Sequence, residues 1–207
     1  MPRKSTTAVP VGPRKLPGQR RSELTVATIL EAAARILETD GLSAYSTNAI
    51  AARAGVSIGS LYQYFPNKDA VTRALIQKNA HALLRDLQAT EPDADAQFRL
   101  KSLLSVAVKH QLERPALARV LDLEEDRLRM DEQFEATARE AMQVLLHCIA
   151  NTKMVRPQDL RTACGDLFAI VRGMVNAAGA RGERDQAALA VRVYKAVFGY
   201  LSVMPGV

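Results

Sequence analysis

Cysteine is scarce in this chain. Of 207 residues only Cys148 and Cys164 carry thiols, they lie in apolar helical patterns without metal-ligand spacing, and the expectation is a reduced protein with buried thiols, no disulfide framework and no metal. Long hydrophobic runs are missing as well. The longest stretch free of charge is the 14 residues from Ala54 to Asn67, too short for a membrane-spanning helix. After Arg3 and Lys4 the N-terminus continues in Ser, Thr, Pro and Gly where a secretion signal needs an apolar core, which predicts a cytoplasmic protein. No alternating strand pattern and no internal repeat is found. The three histidines, His81, His110 and His147, fall in separate helical segments. No Ser/His/Asp set or glycine-rich phosphate loop accompanies them, and the acid pairs Glu124–Glu125 and Asp131–Glu132 read as solvated helix ends. These absences argue against an enzyme and against a bound cofactor.

The chain has 48% hydrophobic residues, enough for a core. Its net charge of +6 is placed unevenly. Residues 1–80 hold 11 Lys/Arg against five Asp/Glu, whereas residues 81–207 hold 17 of each. The positive field belongs to the first part, as a phosphate-rich partner requires. Residues 1–21 contain four prolines, two glycines and six basic residues, Arg20 and Arg21 among them, with no acid. Such a segment cannot bury enough apolar surface to fold alone. It is either a solvated tail or a basic arm that neutralises phosphates or enters a minor groove.

The most informative stretch runs from Ser46 to Asp69, STNAIAARAGVSIGSLYQYFPNKD. It reads as a short helix from Thr47 to Ala54, a glycine turn at Gly55, and a second short helix from Ile58 to about Phe65. Two helices crossing steeply need a small residue at the contact, a residue tolerant of positive φ at the corner, and an apolar residue that locks the second helix back. Ala51, Gly55 and Leu61 supply these, and Ser57 is placed to cap the second helix. Its outer face, Ile58, Gly59, Ser60, Tyr62, Gln63 and Tyr64, carries no acid and suits a DNA groove.

The string ST-N-AIA-x-RAGVS-x-GSLYQYF-x-NK-D resembles the DNA-binding domain of the TetR family of transcriptional regulators, over roughly Thr25 to Ala74. The resemblance implies DNA contacts from Thr47 and Asn48 at the opening of the first motif helix, from Ser57, Ile58, Gly59 and Ser60 at the groove, from the hydroxyls of Tyr62 and Tyr64, and from Lys68 at the next helix start. Two departures stand out: Asn48 lies at or near a position often basic in the family, and Ile58 at one often polar or basic. An amide can still read adenine, while an isoleucine reaches at most a thymine methyl.

The expected fold is all-α, with about nine helices. A basic arm (1–21) precedes a three-helix helix-turn-helix domain (22–67), and a connector helix beginning near Lys68, capped by Asn67, leads into a helical effector-binding and dimerisation domain (68–207). Helical patterns follow at about 97–112, 115–129, 131–151, 157–181 and 185–203. Residues Gly165, Ala169, Gly173 and Ala177 form a ridge of small side chains that permits close helix packing. The last helix is apolar on two sides: Leu189, Val193, Val197 and Tyr200 on one, Val191, Tyr194, Phe198 and Leu201 on the other. Both sides can be buried within one chain, or the second can meet another copy across a two-fold interface. The resemblance implies the latter, and also a pocket among the middle helices. Phe98, Met130, Phe134, Met142, His147 and Phe168 are its candidate lining residues, although Met and Phe at such spacings also serve as plain packing. The implied activity is that of a sequence-specific regulator, a repressor released from a pseudo-palindromic site on double-stranded DNA by a hydrophobic or amphipathic small molecule. The alternative is a DNA-binding protein controlled by a protein partner.

Overall fold

In the computed structural model, residues 17–203 are described, except Asp93 and Arg129. They form nine α-helices and two short 3-10 turns: α1 (Pro17–Thr39), α2 (Thr47–Ala54), α3 (Ile58–Tyr64), α4 (Lys68–Gln88), α5 (Ala96–Glu113), α6 (Pro115–Arg127), α7 (Glu132–Asn151), α8 (Leu160–Ala180) and α9 (Gln186–Val203). The first helix begins at Pro17, four residues before the expected end of the arm. Proline is tolerated in a first helical turn because its missing N–H has no intrahelical acceptor there. Arg20 and Arg21 are thus helical and exposed. The remainder of the expected arm, residues 1–16, lies outside the described residues.

Short polar side chains start the helices. Ser46, Ser57, Asn67, Asp95 and Asp131 each accept a hydrogen bond from a backbone N–H in the first turn of α2, α3, α4, α5 and α7 respectively, satisfying donors that have no partner inside the helix. Asp131 and Glu132 are exposed at the start of α7, the solvated helix end expected, and Asp131 serves as its cap as well.

Two apolar cores result. The first joins Ile29, Ile36, Leu37, Tyr45, Ile50, Leu61, Val71 and Leu75 of the N-terminal helices, but it does not close at residue 67. Leu117, Leu121 and Leu128 from α6 and its C-cap, with Phe134 of α7, belong to it as well. The second core packs Leu100, Leu103, Leu104 and Val108 of α5 against Ile149, Leu167, Val175 and the α9 stripe. That stripe is Leu189, Val193, Val197 and Leu201, each fully buried.

The register of α9 corrects the expected division of its two sides. Leu201 follows Val197 by four residues and joins the core, so it leaves the proposed interface set. Tyr200 turns outward to a hydrogen bond with the Asp166 carboxylate. On the other side Val191 is exposed, and Tyr194 and Phe198 are half-buried and stacked at 5.7 Å between ring centroids. Gly165, Ala169, Gly173 and Ala177 all lie on the exposed side of α8.

Candidate nucleic-acid interface and effector cavity

The α2–α3 corner is set by Gly55. Its φ of +67° lies in the left-handed region, and the N–H of Val56 bonds back to the Ala51 carbonyl at 3.1 Å, the reversal that lets α3 leave at a steep angle. Two contacts fix the pair on its base. The buried Thr72 hydroxyl of α4 donates to the Tyr45 hydroxyl at 3.1 Å, and burial pushes Tyr45 up to about 12. At the other end Arg53 reaches the Asp40 carboxylate at 3.2 Å and the Thr39 hydroxyl at 3.3 Å, tying α2 to the end of α1.

On this base α3 turns its outer face to solvent. Ile58 and Gly59 are exposed, and Tyr62 is 52% exposed with its hydroxyl 3.3 Å from that of Thr47. Ser57 and Ser60 share a hydrogen bond of 2.9 Å. A Cβ added at Gly59 would meet only the Ser57 hydroxyl, at 3.8 Å. The protein itself does not require glycine there, and the bare position leaves room for another molecule to approach the backbone. Asn48 and Lys68 are exposed as well. Tyr64 differs from the expected outer-face residue: it is half-buried against the core, and its hydroxyl accepts from Ser22 of α1 at 3.1 Å. Its own proton remains available to a phosphate oxygen.

A cavity of about 420 Å³ opens between α4, α5, α6, α7 and α8, within the range of small-molecule sites. Its wall is mainly apolar, with Leu83, Leu87, Leu103, Leu104, Leu145 and Val171 prominent. Of the six expected lining residues, Phe134, Met142 and Phe168 are at this wall. The other three are not. Phe98 is 59% exposed near the start of α5, Met130 packs on the N-terminal core, and His147 is exposed and bonded to Asn151.

The polar lining went unrecognised in the sequence: Asn79, His110, Gln111, Asp122, Glu125, Thr137 and Arg172. Each helix contributes one or two of these, so no short motif marks them. Asp122 is the junction. Its Oδ2 accepts from Gln111 at 3.2 Å and from Asn176 at 2.9 Å, and Arg172 Nε lies 3.3 Å away. Burial lowers the His110 pKa, and its Nε2 has no hydrogen-bond partner among the described residues. Burial also pushes both Cys148 and Cys164 up to about 11, which keeps them as thiols rather than nucleophilic thiolates near neutral pH.

The same helix that supplies Asp122 and Glu125 grips the N-terminal unit at both ends. Arg114, the N-cap of α6, donates to Glu38 at 2.7 Å and to Glu31 at 3.2 Å, both on α1. Arg127, in its last turn, bridges Glu124 at 2.6 Å and Asp69, in the first turn of α4, at 2.7 Å. Glu124 is buried under this bridge, and Glu125 faces the cavity. Neither is the solvated helix end suggested by the sequence.

The sequence model of the family described as "Bacterial regulatory proteins, tetR family" matches residues 29–75, which span α2, α3 and their supports. A nucleoid occlusion factor SlmA from Serratia proteamaculans (strain 568) is 31% identical over 140 residues, covering 63% of this chain and 68% of that protein. The chain belongs to the TetR family. It is a DNA-binding transcriptional regulator of that family. A second SlmA, from Vibrio atlanticus (strain LGP32), is 29% identical over 157 residues, or 72% of this chain and 80% of that protein. Among solved structures, the fatty acid degradation regulator FadR from Bacillus halodurans superposes with a TM-score of 0.73 at 22% identity, covering 89% of this chain and 96% of the other. A SmeT–triclosan complex does so with a TM-score of 0.64 at 20% identity, covering 86% and 91%. At these identities the structural likeness concerns the fold. Among the described residues no helix is long and apolar enough to cross a membrane.

Proposed function

We propose that this TetR-family regulator is a repressor that holds a pseudo-palindromic operator as a homodimer and releases it when a small hydrophobic or amphipathic molecule occupies the cavity between α4 and α8. The observation that carries this reading is the double attachment of α6. One side of the helix lines the cavity, while its two ends are ion-paired to α1 and to the first turn of α4. A molecule that displaces α6 therefore pulls on the mounting of the reading helix. A preference of about 2.8 kcal/mol for the displaced state weakens operator binding a hundredfold.

Thr47, Asn48, Ser57, Ile58, Gly59, Ser60, Tyr62, Tyr64 and Lys68 are the proposed DNA contacts, supported from α1 by Arg20 and Arg21. The exposed ridge Gly165, Ala169, Gly173 and Ala177, with Val191, Tyr194 and Phe198, is the proposed surface for the second copy, which sets two reading helices against the two half-sites.

A second reading replaces the small molecule by a protein partner. The relatives named nucleoid occlusion factors favour it; the formed, mainly apolar cavity favours the first. The deciding experiment selects bound sequences from random duplex DNA at about physiological salt, where phosphate contacts alone do not dominate, and then screens small molecules for release of the recovered site. An inverted repeat released by a cavity ligand is the expected result. An inverted repeat that no small molecule releases and a protein does would establish the second reading. Recovery of no common sequence would refute both.

A further inference from the structure

The polar wall of the cavity holds more acid than base. Asp122 and Glu125 sit three residues apart on α6, and Arg172 is the only Lys or Arg among the described lining residues. That guanidinium is already engaged: its Nε lies 3.3 Å from Asp122, one Nη2 contact reaches Asp126 at 3.8 Å, and the same nitrogen donates to the Asp122 carbonyl at 3.3 Å. Two carboxylates, those of Asp122 and Asp126, thus share one cation. Asp122 is satisfied by Gln111, Asn176 and Arg172. Glu125 is not, since its carboxylate forms no hydrogen bond or ion pair among the described residues while facing the cavity. Burial raises its pKa; the nearby Arg172 charge opposes the rise, and the neighbouring Asp122 and Asp126 add to it. His110, the other titratable nitrogen at this wall, is held toward its neutral form by burial.

A half-buried carboxylate with no hydrogen-bond donor of its own, and a cation nearby that two other acids already share, is destabilised relative to water. An anionic head group would meet the same repulsion, and a neutral hydroxyl would offer one ordinary hydrogen bond. A protonated amine offers both opposite charge and donors. Resting on the proposal that the cavity is the effector site, we infer that its ligand is a small lipophilic amine, bound as the cation with its N–H groups on Glu125 and its apolar body against Leu83, Leu103, Leu145 and Phe168.

Three chain-matched probes test this by calorimetry at pH 7: octylammonium, 1-octanol and octanoate. The expected order is octylammonium tightest, on the order of tenfold over 1-octanol, with octanoate weakest. In Glu125→Gln octylammonium should fall to the level of 1-octanol, while 1-octanol binding is retained and shows that the variant is folded. Equal binding of amine and alcohol, a preference for octanoate, or a cation preference that survives in Glu125→Gln would overturn the inference and leave the cavity as an apolar effector site. Failure of all three probes to bind the wild-type protein would remove the effector site, and this inference with it.

Discussion

The N-terminal unit and the helices behind it are built by different kinds of contact. In the first, a glycine corner, two capping serines and an asparagine cap act within a few residues of where they stand, so α2, α3 and the start of α4 carry their geometry in the local sequence. In the second, the cavity takes its polar groups from five helices, and no two of His110, Asp122 and Arg172 share one. The difference shows that a recognition surface can be written in a short string while a pocket is a property of the packing. The two regions meet in α6, which completes the core of one and walls the cavity of the other.

The largest effect should come from breaking that meeting point. Leu117 of α6 is buried in the N-terminal core, and Leu117→Ala should cost about 2–4 kcal/mol. If α6 unites the regions, thermal unfolding followed by circular dichroism and loss of operator binding should shift together. A shift in only one would show that the two units are independent.

Next in size is a contrast within α9. Leu201→Ala should destabilise each protomer by about 2–4 kcal/mol, because that side chain is fully buried. Phe198→Ala, across the helix, should leave the protomer folded and raise the dimer dissociation constant, read by analytical ultracentrifugation. The reverse pattern would return Leu201 to the interface.

A smaller effect should appear in acid. The hydrogen bond from Arg35, with Arg114 adding to it, holds Glu31 below the usual carboxylate range, and that from Arg127 does the same for Asp69. Carboxyls lowered on folding add stability that is complete above their unfolded values and is lost as pH falls through the folded ones. The melting temperature should therefore drop as pH falls below about 4.5, and less steeply in Arg127→Met, where Asp69 has lost its partner. Identical slopes would mean that this attachment of α6 contributes nothing.

The smallest change tests the other end of α6. A Cβ at Gly179 would stand 3.0 Å from Pro115 Cβ, so Gly179→Ala must push the first turn of α6 by a few tenths of an ångström. Helix propensity offsets the crowding, and the net stability change should stay within about 1 kcal/mol. Operator affinity should move all the same, which fluorescence anisotropy would detect.

Much of the fold was legible beforehand because helix starts are marked by single side chains and helix faces by spacing. The α4 boundaries, Lys68 to Gln88, follow from the Asn67 cap and the leucine pattern. What escaped has a common cause. Leu201 satisfies both a three-residue and a four-residue step, so spacing alone could assign it to either side of α9. Glu124 and Glu125 stand side by side in a charged segment, and only the positions of Arg127 and the cavity separate a buried bridged acid from an unpaired one. Met130 and Phe98 are large and apolar like true lining residues; packing on the N-terminal core claims one, and a position near the exposed start of α5 the other.

The passage of one apolar core through α6 also bears on synthesis. A chain leaving the ribosome has delivered every element of the helix-turn-helix by residue 68, yet Val71, Leu75 and Ile76 still await Leu117, Leu121, Leu128 and Phe134. Some sixty further residues must emerge before the unit can close. A fragment truncated after α4 would carry the reading helices without the lid on their core, so this protein should not release a DNA-binding module that competes with the finished regulator.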